Sequence, residues 1–382
     1  MALPFITEFF GNLPDPRVER TRHYPLIEIV AVSVLAVMCG AEGWSDIRNW
    51  GTDWAHWLRK HFRLRRGIPS KDVYRRVFAA LDPTAFNACF SEWVRSFAVT
   101  TANKAIAIDG KTLRGSFQTK TDKGKKGAIH IVSAWVDENC VVFGQIATER
   151  KSNEITAIPV LLDMLSLDGS VITIDAMGCQ KKIVNQIIDG NGDYVISAKD
   201  NQPTLRTQIE EAFITADIAG ELDNPECSCE TSEAGHGRHE VRKVTVLDAD
   251  RRLDDDLGWV GLTSIVMLES TRTICGRTSE ETRYYISSLD PDPKLLAKRI
   301  RSHWGIEIKQ HWTLDTAFNE DGSRIRKDNA PENFALLRRI ALNLLNLDTS
   351  SKTSMRSRRR RAGANERCLD KTLECIATIL SA

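Results

Sequence analysis

The sequence lacks several features that would assign a protein to a functional class. Its most apolar stretch, residues 26–39, contains Glu28 and falls short of the roughly 20 residues that span a bilayer, so we expect a buried helix there and no membrane partner. The phosphate-binding loop G-x₄-G-K-[ST] does not occur, which disfavours an ATP-driven enzyme, and we expect no nucleotide partner. The N-terminus lacks a secretory signal and the nine cysteines are scattered, so we expect an intracellular protein with reduced thiols.

An excess of charge and a zinc-type motif are also missing. The 52 Lys and Arg residues balance the 51 Asp and Glu residues, so any signal for binding nucleic acid must be local. Cys227 and Cys229 are followed by His236 and His239, but the C-x-C and H-x₂-H spacings are shorter than those of zinc sites. A composition of 42% hydrophobic and 27% charged residues over 382 positions predicts a folded protein of two or three domains.

The order of the predicted elements indicates a mixed α/β fold between two helical parts. Apolar runs that end in IAID, VITID and DYVISA alternate with a hairpin and with amphipathic helices, which predicts a mixed sheet flanked by helices. The domains that we predict are an N-terminal all-helical domain (1–98), the first part of an α/β domain (99–202), a β-rich insertion (203–290), the final helices of the α/β domain (291–348), and a basic linker with a C-terminal helix (349–382).

Two aspartates stand at the ends of apolar strands. Asp109 ends IAID and Asp175 ends VITID, and the carboxyl ends of strands in open α/β sheets are where such sheets bind ligands. Adjacent acids repel each other, and a divalent cation would remove that repulsion. Asp before Gly or Ala is also a common turn residue, so each motif taken alone favours a structural role over a catalytic one, and only the pair favours catalysis.

Glu307 is the third candidate carboxylate. In a helix of ordinary period, Glu307 shares one broad face with five residues, most of them aromatic, aliphatic or histidine. These residues are Trp304, Ile308, His311, Trp312 and Asp315. A carboxylate buried on such a face is costly unless it is paired or bound to metal. The alternative is a charged residue at the edge of the stripe, paired with Lys309 or Arg301.

Local groups of basic residues are candidates for contacts to DNA. Those near the acids or in basic loops are Lys111, Arg114, Lys123, Lys125, Lys126, Lys199, His303, Lys309, His311, Arg324 and Arg326. Residues 68–80 have the pattern of the second helix of a helix-turn-helix, with Lys71, Arg75 and Arg76 toward DNA. The alternative for residues 68–80 is an ordinary helical bundle, and the alternative for the basic turns is a solvated turn without DNA. Residues 356–361, the densest run of positive charge, are either a DNA contact without sequence preference or a solvated tail.

Long segments in a fixed order resemble those of a known family. They include GIPSKDVYRRVFAALDP, IAIDGKTLRGS, VITIDAMGCQKKI, DYVISAKDNQPTL and HWGIEIKQHWTLDTAFNEDGSRIRKDNAPENF. The chain resembles the H-repeat-associated insertion-sequence transposases, which are DDE transposases with a ribonuclease H-like catalytic domain. The resemblance covers nearly the whole chain and implies a ribonuclease H-like mixed sheet, interrupted by a β-rich insertion whose last strand, TRYYISSLD, returns to the core. It also implies that the helical domain 1–98 binds DNA ends and that residues 99–202 and 291–348 form the catalytic domain.

The resemblance also implies an activity, a cofactor and partners. The family's three catalytic, metal-binding acids map onto Asp109, Asp175 and Glu307, with Mg²⁺ as cofactor and Mn²⁺ as a substitute. The implied partners are double-stranded DNA, at element ends and target, and a second copy of the chain as a homodimer on DNA, in the cytoplasm at the nucleoid. A metal-dependent endonuclease without strand transfer and an inactive DNA-binding relic are the alternatives. The wider group's Arg and Lys around the glutamate are replaced by His303 and Leu314.

Overall fold

The computed structural model describes residues 4–97, 104–117, 127–148, 154–235, 237–250 and 252–380. Residues 4–97 form six helices: α1 (Pro4–Phe10), α2 (Leu26–Met38), α3 (Trp44–Asp53), α4 (Ala55–Leu58), α5 (Lys71–Ala80) and α6 (Pro83–Phe97). Helix α2 is apolar on every face and almost wholly buried, as expected for a helix in the middle of a core. Its one acid, Glu28, accepts a hydrogen bond from the backbone N–H of Leu64 at 3.1 Å, which satisfies the buried carboxylate.

A nine-stranded sheet is the centre of the rest of the described chain. Its strands are β1 (Ala105–Thr112), β2 (His130–Val136), β3 (Val141–Thr148), β4 (Val171–Ile174), β5 (Asp193–Ala198), β6 (Ser228–Gly235), β7 (Arg238–Asp248), β8 (Ser264–Ile274) and β9 (Arg277–Ser287). They are ordered β3-β2-β1-β4-β5-β9-β8-β7-β6. The first three are antiparallel to one another, and β4 and β5 run parallel to β1. This is the mixed, ribonuclease H-like sheet that the sequence predicts.

Helices cover the sheet and connect its parallel strands. Helix α7 (Glu154–Asp163) joins β3 to β4, α8 (Lys181–Asp189) joins β4 to β5, and α9 (Pro203–Ile218) leads out of β5. A tight turn reverses the direction of the chain and therefore joins antiparallel strands, so parallel strands need longer crossover connections such as these helices. Among the described residues, no helix is both long and apolar enough to cross a membrane.

The β-rich block extends the catalytic sheet. Strand β9 ends in TRYYIS and pairs antiparallel with β5, so it returns to the core as predicted. One strand was not predicted: β6 carries the exposed polar sequence SCETSEAG and is held by its pairing with β7. Its polarity hides it from a search for apolar alternation, because the strand is stabilised by a neighbour and not by burial.

The C-terminal part is helical throughout most of its length. It consists of α10 (Pro293–His303), a π-helical turn (Ile306–His311), α11 (Trp312–Phe318), α12 (Ala330–Leu347), α13 (Met355–Ala362) and α14 (Glu366–Leu380). Helix α12 is buried and contacts both α2 and β3. The prediction of a basic linker near residues 356–361 is wrong, because this segment is α13, and Arg359 on it is only 4% exposed.

Candidate active site

The parallel pairing of β1 with β4 brings the two strand-end aspartates together. Ile108 is the register partner of Ile174, and Asp109 and Asp175 are the next residues along each chain. Both carboxylates therefore lie at the same edge of the sheet. A hydrogen bond from the backbone N–H of Met177 to Asp175 Oδ1, at 3.0 Å, fixes the orientation of the Asp175 carboxylate.

Glu307 reaches the same place from the π-helical turn after α10. Asp109, Asp175 and Glu307 all line one cavity of about 150 Å³. The rest of its polar lining comes from β4, β5, β9 and α10: Thr173, Ser197, Lys199, Arg283, Tyr285 and His303. A short π-helical turn is frequent at functional sites, because the extra residue in the turn redirects side chains. Residues far apart in sequence thus meet in one concave site.

The predicted surroundings of Glu307 need correction. Ile308 and Trp312, expected on a buried face with it, are 55% and 64% exposed, and Glu307 is itself exposed. The prediction assumed an ordinary helical period, whereas the π-helical turn shifts the phase of the stripe. Burial among aromatics therefore does not explain this carboxylate, and its position on the cavity with two aspartates does.

The electrostatics of the cavity centre on Asp109. Burial raises the pKa of Asp109 to about 7; the backbone N–H of Gly110 offsets part of this, and the negative charges of Asp175, Glu307 and Glu154 raise it further. His311 Nδ1 lies 3.6 Å from Asp109 Oδ2. Metal-free protein therefore holds the Asp109 carboxyl partly protonated at neutral pH, and a cation would relieve the repulsion.

The donor chemistry fits a divalent cation. Carboxylate oxygens are ligands that Mg²⁺ uses in proteins, and here three carboxylate side chains line one cavity. The described part of the chain contains no group of three His, Cys, Asp or Glu side chains already gathered in metal-binding geometry. Asp109, Asp175 and Glu307 would hold the ion, and the exposed Glu307 side chain would have to move inward to join the two aspartates.

The two histidines predicted to contact DNA are not cations here. Desolvation by burial lowers the pKa of His303 to about 4 and that of His311 to about 3. Both are therefore neutral at pH 7. His303 Nδ1 is 3.1 Å from Thr173 Oγ1, so it belongs to the wall of the cavity. In the DNA-free chain these two rings therefore carry no positive charge that would attract phosphates.

Several predicted basic contacts are already engaged with acids. Lys111 Nζ is 2.7 Å from Asp315 Oδ2 and 3.4 Å from Asp321 Oδ1. Lys309 Nζ is 2.8 Å from Asp137 Oδ1. These lysines are partly neutralised in the DNA-free chain, so they contact phosphates only if DNA displaces their partners.

The remaining predicted contacts differ in position. Arg114 and Arg324 are exposed, Lys199 is exposed at the mouth of the cavity, and Arg326 is held by Gly115 O at 2.9 Å and by the ring of Phe117. On α5, all three predicted contacts are exposed: Lys71, Arg75 and Arg76. The prediction for Lys123, Lys125 and Lys126 lies outside the described residues.

Sequence reasoning missed the contribution of β9 and of the groove beside it. Arg283 lines the cavity, and its guanidinium lies 4.7 Å from the ring centre of Trp304. A larger groove of about 710 Å³ between the β6–β9 strands and α10 shares Arg283, Trp304 and Glu307 with the cavity. No local pattern marks Arg283, because only the pairing of β9 with β5 carries it to the site.

Two family models and several relatives match the chain. The model of the family described as "Transposase DDE domain" matches residues 100–344, and that described as "DDE_Tnp_1-associated" matches residues 7–94. The chain is 40% identical over 380 residues to the "H repeat-associated putative transposase YhhI" of Escherichia coli K12, covering 98% of each. It is 40% identical over 381 residues to "Putative transposase YncI" of Escherichia coli O157:H7, covering 98% of this chain and 95% of the other.

A shorter relative and a solved structure complete the comparison. The chain is 32% identical over 77 residues, 20% of its length, to "Inactive transposase YbfQ" of Escherichia coli K12, of which these residues cover 92%. The piggyBac transposase in a synaptic complex with hairpin DNA matches at a TM-score of 0.40 and 11% identity, covering 99% of this chain and 77% of that one. The match of the DDE domain over most of the chain, together with relatives at 40% identity over nearly its full length, shows that this protein belongs to the family of DDE transposases.

Proposed function

We propose that this chain cuts DNA at the ends of an insertion sequence and joins those ends to target DNA, in a reaction that requires Mg²⁺ or Mn²⁺. The observation that carries the proposal is the convergence of Asp109, Asp175 and Glu307 on one cavity. Family membership supports it, because that family is named for transposition. The proposal places the chain with double-stranded DNA, as a homodimer that holds two element ends, in the cytoplasm at the nucleoid.

The chain's own residues have separable roles in this proposal. Asp109, Asp175 and Glu307 would hold the cations. When bound, these cations would neutralise the phosphate and activate the attacking oxygen. Asp109 must give up its proton first, since its pKa is about 7. Lys199 and Arg283 offer positive charge at the wall of the cavity, where a phosphate would enter. Neutral His311, beside Asp109, adds no competing positive charge to the metal site.

An assay with a native element end distinguishes the proposal from its alternatives. The purified full chain is given end DNA, a target plasmid and Mg²⁺ or Mn²⁺. Transposition predicts cut ends and joined products, whereas nicks without joining would indicate an endonuclease that lacks strand transfer. DNA binding with no cleavage in either metal would indicate an inactive relic and contradict the proposal.

The metal requirement should depend on pH. Because the Asp109 carboxyl has a pKa of about 7 in the metal-free chain, a cation must displace its proton at lower pH. The Mg²⁺ concentration for half-maximal cleavage should therefore rise about tenfold per pH unit below pH 7 and level off above pH 8. Mg²⁺ titrations at pH 6, 7 and 8 measure this, and a midpoint independent of pH would contradict the assignment.

Helix α5 should contribute to affinity for DNA without contributing to chemistry. Removing its three exposed cations together, as Lys71→Ala, Arg75→Ala and Arg76→Ala, should weaken binding of end DNA about tenfold or more and reduce the salt slope by about one per lost phosphate contact. Binding measured between 50 and 200 mM salt tests this. Lys352→Ala, an exposed lysine beyond α12, is the matched control, and an equal loss in both would refute a specific role for α5.

A further inference from the structure

A buried histidine and a buried glutamate lie directly behind Asp109. His130 begins β2 and is 1% exposed, and Glu154 begins α7 and is 3% exposed. His130 Nε2 is 2.5 Å from Glu154 Oε1. On its other side, His130 Nδ1 is 2.9 Å from Thr112 Oγ1 on β1. The contacts thus join β1, β2 and α7 at the strand that carries Asp109.

The pair presses on the backbone beside the catalytic aspartate. Gly110 follows Asp109, and a β-carbon at this glycine would overlap both His130 Nε2 and Glu154 Oε1. The peptide between Asp109 and Gly110 therefore rests against the two side chains. In β1, Asp109 is paired with Ser133 and Thr112 with His130, so the strand is held on both sides of this contact.

Burying His130 and Glu154 costs folding free energy, which suggests that the pair has a role beyond filling space. A buried carboxylate or imidazole costs free energy when its partners are incomplete, and an apolar pair of similar volume would fill the space at lower cost. Neither residue lines the cavity that holds the three acids, so neither would touch the substrate.

We propose that His130 and Glu154 are positioning residues, which fix the backbone at Gly110 so that the Asp109 carboxylate is held where it binds a divalent cation. The inference rests on the proposed metal-binding role of Asp109. The two residues lie behind the carboxylates and support Asp109 without binding the cation themselves. A comparison of the motifs that contain the catalytic acids does not single them out. Loss of either residue should weaken cation binding while the DNA-binding surfaces remain intact.

The test measures Mn²⁺ binding to the full chain without DNA, by the loss of the free Mn²⁺ signal in electron paramagnetic resonance. Glu154→Gln keeps the shape of the side chain and removes its charge, and should raise the Kd for Mn²⁺ about tenfold. His130→Ala should raise it similarly, and the double variant should be no worse than the more damaging single variant, because the two residues act as a unit. Affinity for end DNA in the absence of metal should stay within about twofold of the wild-type value.

The controls separate positioning from folding and from the proposed function. Asp163→Asn, at the exposed far end of α7, should leave Mn²⁺ binding unchanged, and thermal unfolding shows whether each variant is folded. Folded Glu154→Gln that binds Mn²⁺ as tightly as wild type overturns the inference, as does a loss of binding no larger than the loss of folded protein. Asp109→Asn is measured alongside: if it too binds Mn²⁺ normally, the proposed metal site fails, whereas normal binding by Glu154→Gln and His130→Ala alone overturns only the positioning role.

Discussion

Asp109→Asn should abolish cleavage and joining of DNA ends and, in metal-free buffer, should make the folded chain more stable. The loss of activity should be about 10³-fold or more, because cation-assisted chemistry is worth several kcal/mol. Cleavage of an element end in Mg²⁺ measures it. Asp175→Asn and Glu307→Gln should show similar losses, since all three carboxylates face the same cavity.

The gain in stability follows from the sign of the pKa shift. The pKa of Asp109 is about 7 in the folded chain and about 3.9 in an unfolded one, so the folded state binds the proton more tightly. Its contribution to folding is fully present below pH 4 and is lost as the pH rises to 7. Asparagine carries no charge to bury, so Asp109→Asn should gain about 1–3 kcal/mol at pH 8 and nearly nothing at pH 4.

Chemical unfolding of both proteins in EDTA across pH 4 to 8 checks this second half of the prediction. Asp163→Asn, an exposed acid on α7, should change stability by less than about 0.5 kcal/mol at every pH. If Asp109→Asn is less stable than wild type at pH 8, burial and repulsion do not destabilise the Asp109 carboxylate, and the electrostatic reason for expecting a cation there disappears.

Arg359→Ala should cost the chain about 3–5 kcal/mol of unfolding free energy. Arg359 lies on α13, and burial lowers its pKa only to about 10, so it is charged at pH 7. Its guanidinium donates to Val37 O at 2.7 Å and Ala41 O at 3.3 Å, and also to Ala317 O. It lies 4.2 Å from the ring centre of Phe318. Its removal would take a charged donor away from backbone carbonyls on α2, in the loop after α2 and on α11.

A neighbouring residue provides the control for Arg359. Arg360 is the next residue on α13 and is exposed, so Arg360→Ala should change stability by less than about 0.5 kcal/mol. Urea unfolding monitored by tryptophan fluorescence compares the two. Equal midpoints would show that α13 is a solvated tail after all, as its run of arginines suggests, and not a clamp between α2 and α11.

The parts of the fold that the sequence predicts are those that rest on local patterns. The strands that lead to Asp109 and Asp175 are apolar runs of strand length, and the apolar stretch 26–39 is long enough for the buried helix α2. The mixed sheet that contains both strands follows from the order of strands, hairpin and helices. Those features could be inferred without coordinates.

The parts that were missed depend on partners distant in the sequence. Strand β6 exists because β7 pairs with it, and α13 is ordered because Arg359 finds carbonyls on α2 and α11. Glu307 was placed on the wrong kind of face, since the period of a π-helical turn cannot be read from residue types. The positions of His130 and Glu154 behind Gly110 likewise result from packing between β1, β2 and α7.

The most direct test of the central claim is the location of Mn²⁺ in crystals of the full chain bound to element-end DNA, by anomalous scattering at the manganese edge. The convergence of the three acids predicts a peak within coordinating distance of Asp109, Asp175 and Glu307. A chain that cleaves DNA in the same buffer but shows manganese elsewhere, or none at these carboxylates, would contradict it.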